Sequence, residues 1–319
     1  MAKAEQIKAL IASHLERDDE HFVTVALQLA ANEARRGHSV LAQDIRKLID
    51  SRSKRNMKVV SGSGDLDDLV SSESTGEHLS SLVLSSDLTS KIDRIVQEFH
   101  QAEKLAKHGL DNRRKILLSG PPGTGKTMTA AVLAERTKLP FFAVQIDRLV
   151  TKYLGETSAK LRQIFSMIRE RPGVYLFDEF DAIGTQRGSD NDVGEMRRVL
   201  NALLQFIEGD ESSSLIVAAT NSLSSLDIAL FRRFDDVLHY GKPEAPQIEA
   251  LVSNRLNVFL GDYSLNPVVR AAKGLSHAEI TQACDDAIKD AVLSDQDKVK
   301  QKTIVAMLAD RKAAYSRAL

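Results

Sequence analysis

The stretch Ile116-Leu-Leu-Ser-Gly120-Pro-Pro-Gly-Thr-Gly-Lys-Thr127 decides the fold of this 319-residue chain. Its three apolar residues predict a short buried strand, and the residues from about Thr127 to Arg136 predict a helix. Between the two, the pattern G-x-x-x-x-G-K-[ST] predicts a phosphate-binding loop. Glycines let backbone N–H groups approach phosphate oxygens, and the following helix N-terminus adds a favourable dipole. A glycine-rich turn without this role is the alternative.

Four further short apolar runs alternate with helical stretches in the same way. They are Phe141–Val144, Val174–Phe177, Leu215–Ala219 and Val237–His239. Such runs predict a parallel sheet that is covered on both faces. After Pro243 no strand signal remains, and Ser276-His-Ala-Glu279 has the spacing of a capping box that opens a helix. We therefore predict an α/β fold: a P-loop NTPase sheet flanked by helices, then a small all-helical lid domain.

The sequence predicts four segments. Residues 1–51 show apolar positions at helical spacing and predict an N-terminal helical unit that recruits a partner or substrate. Residues 52–84 are rich in glycine and serine and predict a flexible linker, although Leu66, Leu69 and Val70 could dock onto a domain. The large α/β domain is then 85–242, and the helical lid domain is 243–319.

Composition narrows the class of protein. The 43 basic and 44 acidic residues nearly balance, which argues against a nucleic-acid partner despite a short basic stretch between Arg46 and Lys58. The chain has one cysteine, Cys284, no signal-peptide pattern at its start and no apolar run of membrane-spanning length. We expect a cytoplasmic protein that does not span a membrane.

Polar residues follow two of the predicted strands. Asp178 and Glu179 end the run that begins at Val174, and parallel sheets bind ligands at the carboxyl ends of their strands. Asp178 is predicted to hold Mg²⁺ together with Thr127, and Glu179 to activate a water for attack on ATP. Asn221 could hold that water, or it could serve the turn after its strand. The residues predicted to bind ATP are Gly120, Pro121, Pro122, Gly123, Thr124, Gly125, Lys126, Thr127, Met128 and Asp178.

Five landmarks between about Ser85 and Leu293 together resemble the AAA subfamily of AAA+ ATPases. They are Gly-Pro-Pro-Gly-Thr-Gly-Lys-Thr127, Tyr153-Leu-Gly-Glu156, Leu-Phe-Asp178-Glu179, Ala-Ala-Thr-Asn221 and Leu226-Asp-Ile-Ala-Leu-Phe-Arg-Arg-Phe234. The resemblance implies a homo-oligomeric ring, usually a hexamer, with ATP between subunits. It gives Asn221 a sensor role, and it gives Arg232 and Arg233 the role of the arginine pair that katanin- and spastin-like members send into the neighbouring site. On composition alone, the two arginines are a solvated basic turn.

The same resemblance identifies Lys152, Tyr153, Leu154 and Gly155 as a pore loop that grips a polypeptide. Tyr153 could instead pack onto its own domain. The chain departs from the family at His277, where most members carry glycine near the adenine. His277 could contact the base or simply stand in the first turn of a capped helix.

Three functions remain open at this point. The chain could be a ring ATPase that remodels, unfolds or threads a protein. It could be an ATP-dependent assembly switch that regulates a partner enzyme. It could be a nucleic-acid motor, against which the charge balance argues. Because some similar small bacterial ATPases are encoded beside a subtilisin-like protease, such a protease is one candidate partner.

Overall fold

A computed structural model describes residues 69–72, 82–149, 154–180, 190–221 and 231–316. The strands are β1 (Val70–Ser72), β2 (Lys115–Ser119), β3 (Phe141–Val144), β4 (Val174–Phe177), β5 (Leu215–Thr220) and β6 (Asp236–His239). The helices are α1 (Ser86–His100), α2 (Ala102–Ala106), α3 (Lys126–Thr137), α4 (Ile146–Leu149), α5 (Leu154–Glu170), α6 (Asp190–Glu208), α7 (Ala245–Leu256), α8 (Asn266–Ala272), α9 (His277–Leu293) and α10 (Gln301–Ser316). Among the helices in these ranges, none is long and apolar enough to cross a bilayer.

The strands form one sheet in the order β1-β3-β4-β5-β2-β6. Neighbours pair in parallel except β1, which runs antiparallel to β3. This confirms the predicted α/β class, and each predicted strand lies within a residue or two of its observed bounds. The central strands β4 and β5 are buried along their whole length, as expected for a sheet covered on both faces.

The main core lies between this sheet and helices α1 and α3. Ile116 and Leu118 face it from β2, and Leu133 and Ile95 meet them from the two helices. All four side chains are fully buried. This packing fixes the start of α3, and therefore the phosphate loop, at the carboxyl end of β2.

The structure differs from the linker prediction for 52–84 at two places. Residues 70–72 form β1, and Gln145 donates its backbone N–H to the Leu69 carbonyl oxygen at 2.9 Å. Leu69 and Val70 are only 3% and 7% exposed. The apolar pair therefore docks onto the free edge of β3, which is the alternative that the sequence left open. Leu66 and the N-terminal unit 1–51 lie outside the described residues.

The second difference is the segment that enters α1. The side chain of Leu84 packs on the main core, whereas Val83 packs on the core of the C-terminal helices. Two successive residues thus pack on different hydrophobic cores, one on the core of the sheet and one on the core of the C-terminal helices. Glycine and serine content predicted flexibility here, but the local run Leu82-Val83-Leu84 is apolar enough to be ordered by burial.

Helices α7 to α10 enclose a core of their own after the sheet ends. As predicted, α9 opens with a capping box: Glu279 N–H donates to Ser276 Oγ at 3.3 Å, and Ser276 N–H donates to the Glu279 carboxylate at 2.5 Å. The same turn touches the phosphate loop, because Ala278 N–H donates to the Gly123 carbonyl at 2.9 Å. The helical part therefore covers the loop directly.

Candidate active site

The phosphate loop needs glycine for two different reasons. Gly125 has φ of 96° and Gly123 has φ of 72°, a left-handed conformation that residues with a Cβ rarely adopt. At Gly120 the reason is space, since a Cβ would lie 2.2 Å from the Tyr240 carbonyl oxygen. Thr124 braces the loop from within by donating its hydroxyl to the Pro121 carbonyl at 2.8 Å.

Lys126 is held at the centre of this loop. Its ammonium donates to the carbonyl oxygens of Gly120 and Pro121 at 2.8 and 2.9 Å, and to Asn221 Oδ1 at 2.8 Å. The side chain is 6% exposed, so its charge is compensated mostly by these oxygens. The contact brings Asn221, at the end of β5, to the lysine that the phosphate pattern predicts.

Thr127 and the acid pair meet at the neighbouring strand end. Thr127 Oγ1 donates to Asp178 Oδ2 at 2.7 Å. A hydroxyl and a carboxylate at this separation fit Mg²⁺, which takes few protein oxygens and keeps several waters. Glu179 has φ of 52°, so the chain turns at this residue as the sequence required. Its side chain is exposed and lines the same cavity as Asp178.

These groups line a cavity of about 700 Å³. One end is polar, with Lys126, Thr127, Asp178, Glu179 and Asn221. The rest of the lining is mostly apolar, with Leu82, Val83, Met128, Ala131, Phe141, Leu251 and Ala278, and it also includes His277, Thr281, Gln282 and Asp285. Pro122, Gly123 and Gly125 join the two ends. The arrangement suits a ligand with phosphates at one end and an aromatic base at the other.

Two contributors to the cavity were not recognised from the sequence. Leu82 and Val83 belong to the segment read as linker, yet Leu82 Cδ1 lies 3.1 Å from where a Gly125 Cβ would be. Tyr240, after β6, donates its hydroxyl to Thr129 at 2.7 Å and supports the loop from behind. The apolar run before α1 was a usable signal for Leu82 and Val83, whereas nothing local marked Tyr240.

The two candidate arginines are placed differently from each other. Arg232 is exposed, and Arg233 is partly buried with its guanidinium 3.0 Å from a carboxylate oxygen of Glu208. This contact is an ion pair without hydrogen-bond alignment, because the same Arg233 nitrogen makes no hydrogen bond among the described residues. Within the described part of the chain, the lining of the cavity does not include Arg232 or Arg233.

The structure describes only part of the candidate pore loop. Lys152 and Tyr153 lie outside the described residues. Leu154 and Gly155, expected in the loop, are the first two residues of α5. The backbone of Gly155 is therefore helical, and the role of this segment as a pore loop stays a prediction.

Comparison with known proteins agrees with this geometry. Residues 116–242 match the family described as "ATPase family associated with various cellular activities (AAA)". An AAA family ATPase of Sinorhizobium fredii is 34% identical, and the alignment covers 99% of this chain and 98% of that protein. The match therefore includes the residues on both sides of the sheet domain.

Two relatives with more descriptive names match a little under two thirds of this chain. The ATP-dependent zinc metalloprotease FtsH 2 of a Thermoanaerobacter strain is 34% identical over 64% of this chain and 41% of its own length. The 26S proteasome regulatory subunit 8 homolog B of Arabidopsis thaliana is 34% identical over 63% of this chain and 52% of its own length. The chain thus spans about half or less of these two proteins.

Proposed function

Because this chain belongs to the AAA family of ATPases and so hydrolyses ATP, we propose that it is a ring ATPase that remodels, unfolds or threads a protein substrate. The observation that carries the proposal is the cavity that gathers Lys126, Thr127, Asp178, Glu179 and Asn221. The names of the two relatives, a protease and a proteasome subunit, support a protein as the substrate. Nothing in those names favours a subtilisin-like protease as partner.

Each residue of the polar end has a proposed task in hydrolysis. Lys126, already held at the loop, bonds the β- and γ-phosphate oxygens, and Thr127 and Asp178 hold Mg²⁺. The bound ion would neutralise charge that develops on the phosphates. Glu179 accepts a proton from the attacking water, whose oxygen bonds to the γ-phosphorus as the bond to ADP breaks. Asn221 stands beside Lys126 and orients that water.

The positions of Arg232 and Arg233, outside the described lining of their own cavity, support a site shared between subunits. We assign Arg232 and Arg233 to the ATP of a neighbouring copy in a ring, which the family resemblance implies is built from six copies. A guanidinium at the transferring phosphoryl group is worth about 10³–10⁵ in rate in well-studied systems. Within one chain, Arg233 is paired with Glu208, so assembly would have to exchange this partner for the neighbour's phosphates.

Threading is assigned to Tyr153, on the resemblance of its segment to a pore loop. An aromatic ring contacts any side chain or backbone, and its hydroxyl tolerates water. Tyr153→Ala should therefore hydrolyse ATP within a few-fold of the parent yet lose remodelling, and Tyr153→Phe should keep both activities.

The quantity to measure is protein substrate remodelled per ATP hydrolysed, with a destabilised, fluorescent model protein as substrate. A ratio unchanged in Tyr153→Ala would favour an assembly switch that regulates a partner enzyme without threading. Loss of both activities together would show that Tyr153 is structural.

A further inference from the structure

His277 lies at the apolar end of the cavity, in the first turn of α9. Neighbours at this end include the side chains of Leu82, Val83, Met128 and Leu251. Lys126 and Asp178 line the same cavity. With the phosphates of a nucleotide at the loop, we expect its base among these apolar side chains and near the imidazole.

Within the described part of the chain, the imidazole of His277 makes no hydrogen bond. Both of its ring nitrogens are buried, and neither has a hydrogen-bond partner among the described residues. A buried polar group left unpaired costs about 1–3 kcal/mol. A ligand that supplies the missing partner recovers much of this cost. Because both nitrogens are shielded in this conformation, a bond to a ligand requires the ring to turn about χ2, a torsion with a broad distribution in histidine.

The surroundings also select the form of the ring. Burial lowers the pKa of His277, which favours the neutral ring, while the Val83 backbone acts in the opposite direction. A neutral imidazole has one nitrogen that carries a proton and one that keeps its lone pair. The nitrogen with the lone pair can only accept a hydrogen bond.

We propose that His277 is a specificity-determining residue that accepts a hydrogen bond from the exocyclic amino group of adenine. Adenine carries an N–H donor at that position, whereas guanine carries a carbonyl oxygen that would face the lone pair. The inference rests on the proposed assignment of this cavity to ATP.

The test compares two diphosphates that the enzyme cannot hydrolyse further. ADP and purine riboside diphosphate differ only in the 6-amino group. Calorimetry on the full chain should show ADP binding about tenfold more tightly, because one hydrogen bond in a buried site is worth about 1.4 kcal/mol. In His277→Phe and His277→Gly that preference should fall by about tenfold, through loss of affinity for ADP alone.

Two variants keep the outcomes separate. His108→Phe removes an exposed histidine far along the chain from the cavity and should keep the parent's preference. A preference that survives unchanged in both His277 variants would overturn the inference and leave the ATP site intact. If Lys126→Ala bound both diphosphates as tightly as the parent, the cavity assignment would fail and the inference with it.

Discussion

At the scale of single residues, the chemistry depends on how little freedom the polar groups have. Lys126 is fixed by three oxygens, and Thr127 by the Asp178 carboxylate. Glu179 lines the cavity from a left-handed backbone position. Pre-positioned groups of this kind lower the reorganisation needed in the transition state.

The clearest residue-scale prediction concerns Glu179. Glu179→Gln should bind ATP like the parent and lower kcat by about 10²–10⁴, since an amide cannot accept the proton of the attacking water. Steady-state phosphate release and nucleotide binding measure the two effects. Glu211→Gln, at an exposed turn after α6, is the matched control and should turn over normally. Normal turnover by Glu179→Gln would show that another group is the base.

At the scale of elements, sequence patterns found the buried strands and missed the edge strand. Runs such as Val174–Phe177 are apolar throughout, which marks a strand covered on both faces. The strand Val70–Ser72 is three residues long and two of the three are serine, so composition favoured a linker. The segment becomes a strand because it pairs with the edge of β3, and that edge exists only in the folded sheet.

In the candidate site, too, local sequence patterns were predictable, whereas contacts between distant residues were not. The loop and the acid pair are local patterns and could be read directly. The contact between Lys126 and Asn221 joins residues 95 positions apart, and it depends on β5 lying beside β2. The approach of Val83 and His277 depends on how the helical lid sits over the loop, which no local pattern records.

The edge strand gives an element-scale prediction. Deleting residues 1–56 keeps β1, whereas deleting residues 1–76 removes Leu69 and Val70. Burying an aliphatic side chain stabilises by about 1.5–3 kcal/mol, so the longer deletion should unfold at a clearly lower temperature. The shorter deletion should keep the ATPase rate. Thermal unfolding and phosphate release on both variants measure this. Equal melting temperatures would mean that β1 contributes nothing to the fold.

At the scale of the whole molecule, the proposed hydrolysis site requires residues from more than one copy of the chain. Each chain holds the groups that we propose to bind ATP and activate water, whereas its Arg232 and Arg233 do not line its own cavity within the described ranges. A head-to-tail ring would bring the arginines of one copy to the cavity of the next. The hydrolysis rate should then depend on assembly and hence on protein concentration.

Mixing two inactive variants tests this central claim most directly. Arg233→Ala keeps its own Glu179, and Glu179→Gln keeps its own Arg233. In a random equal mixture about a quarter of head-to-tail interfaces combine the intact Glu179 of one copy with the intact Arg233 of the next. We predict that phosphate release by the mixture rises well above the sum of the two variants alone. A mixture that stays at that sum, although the two variants co-assemble, would contradict a shared site.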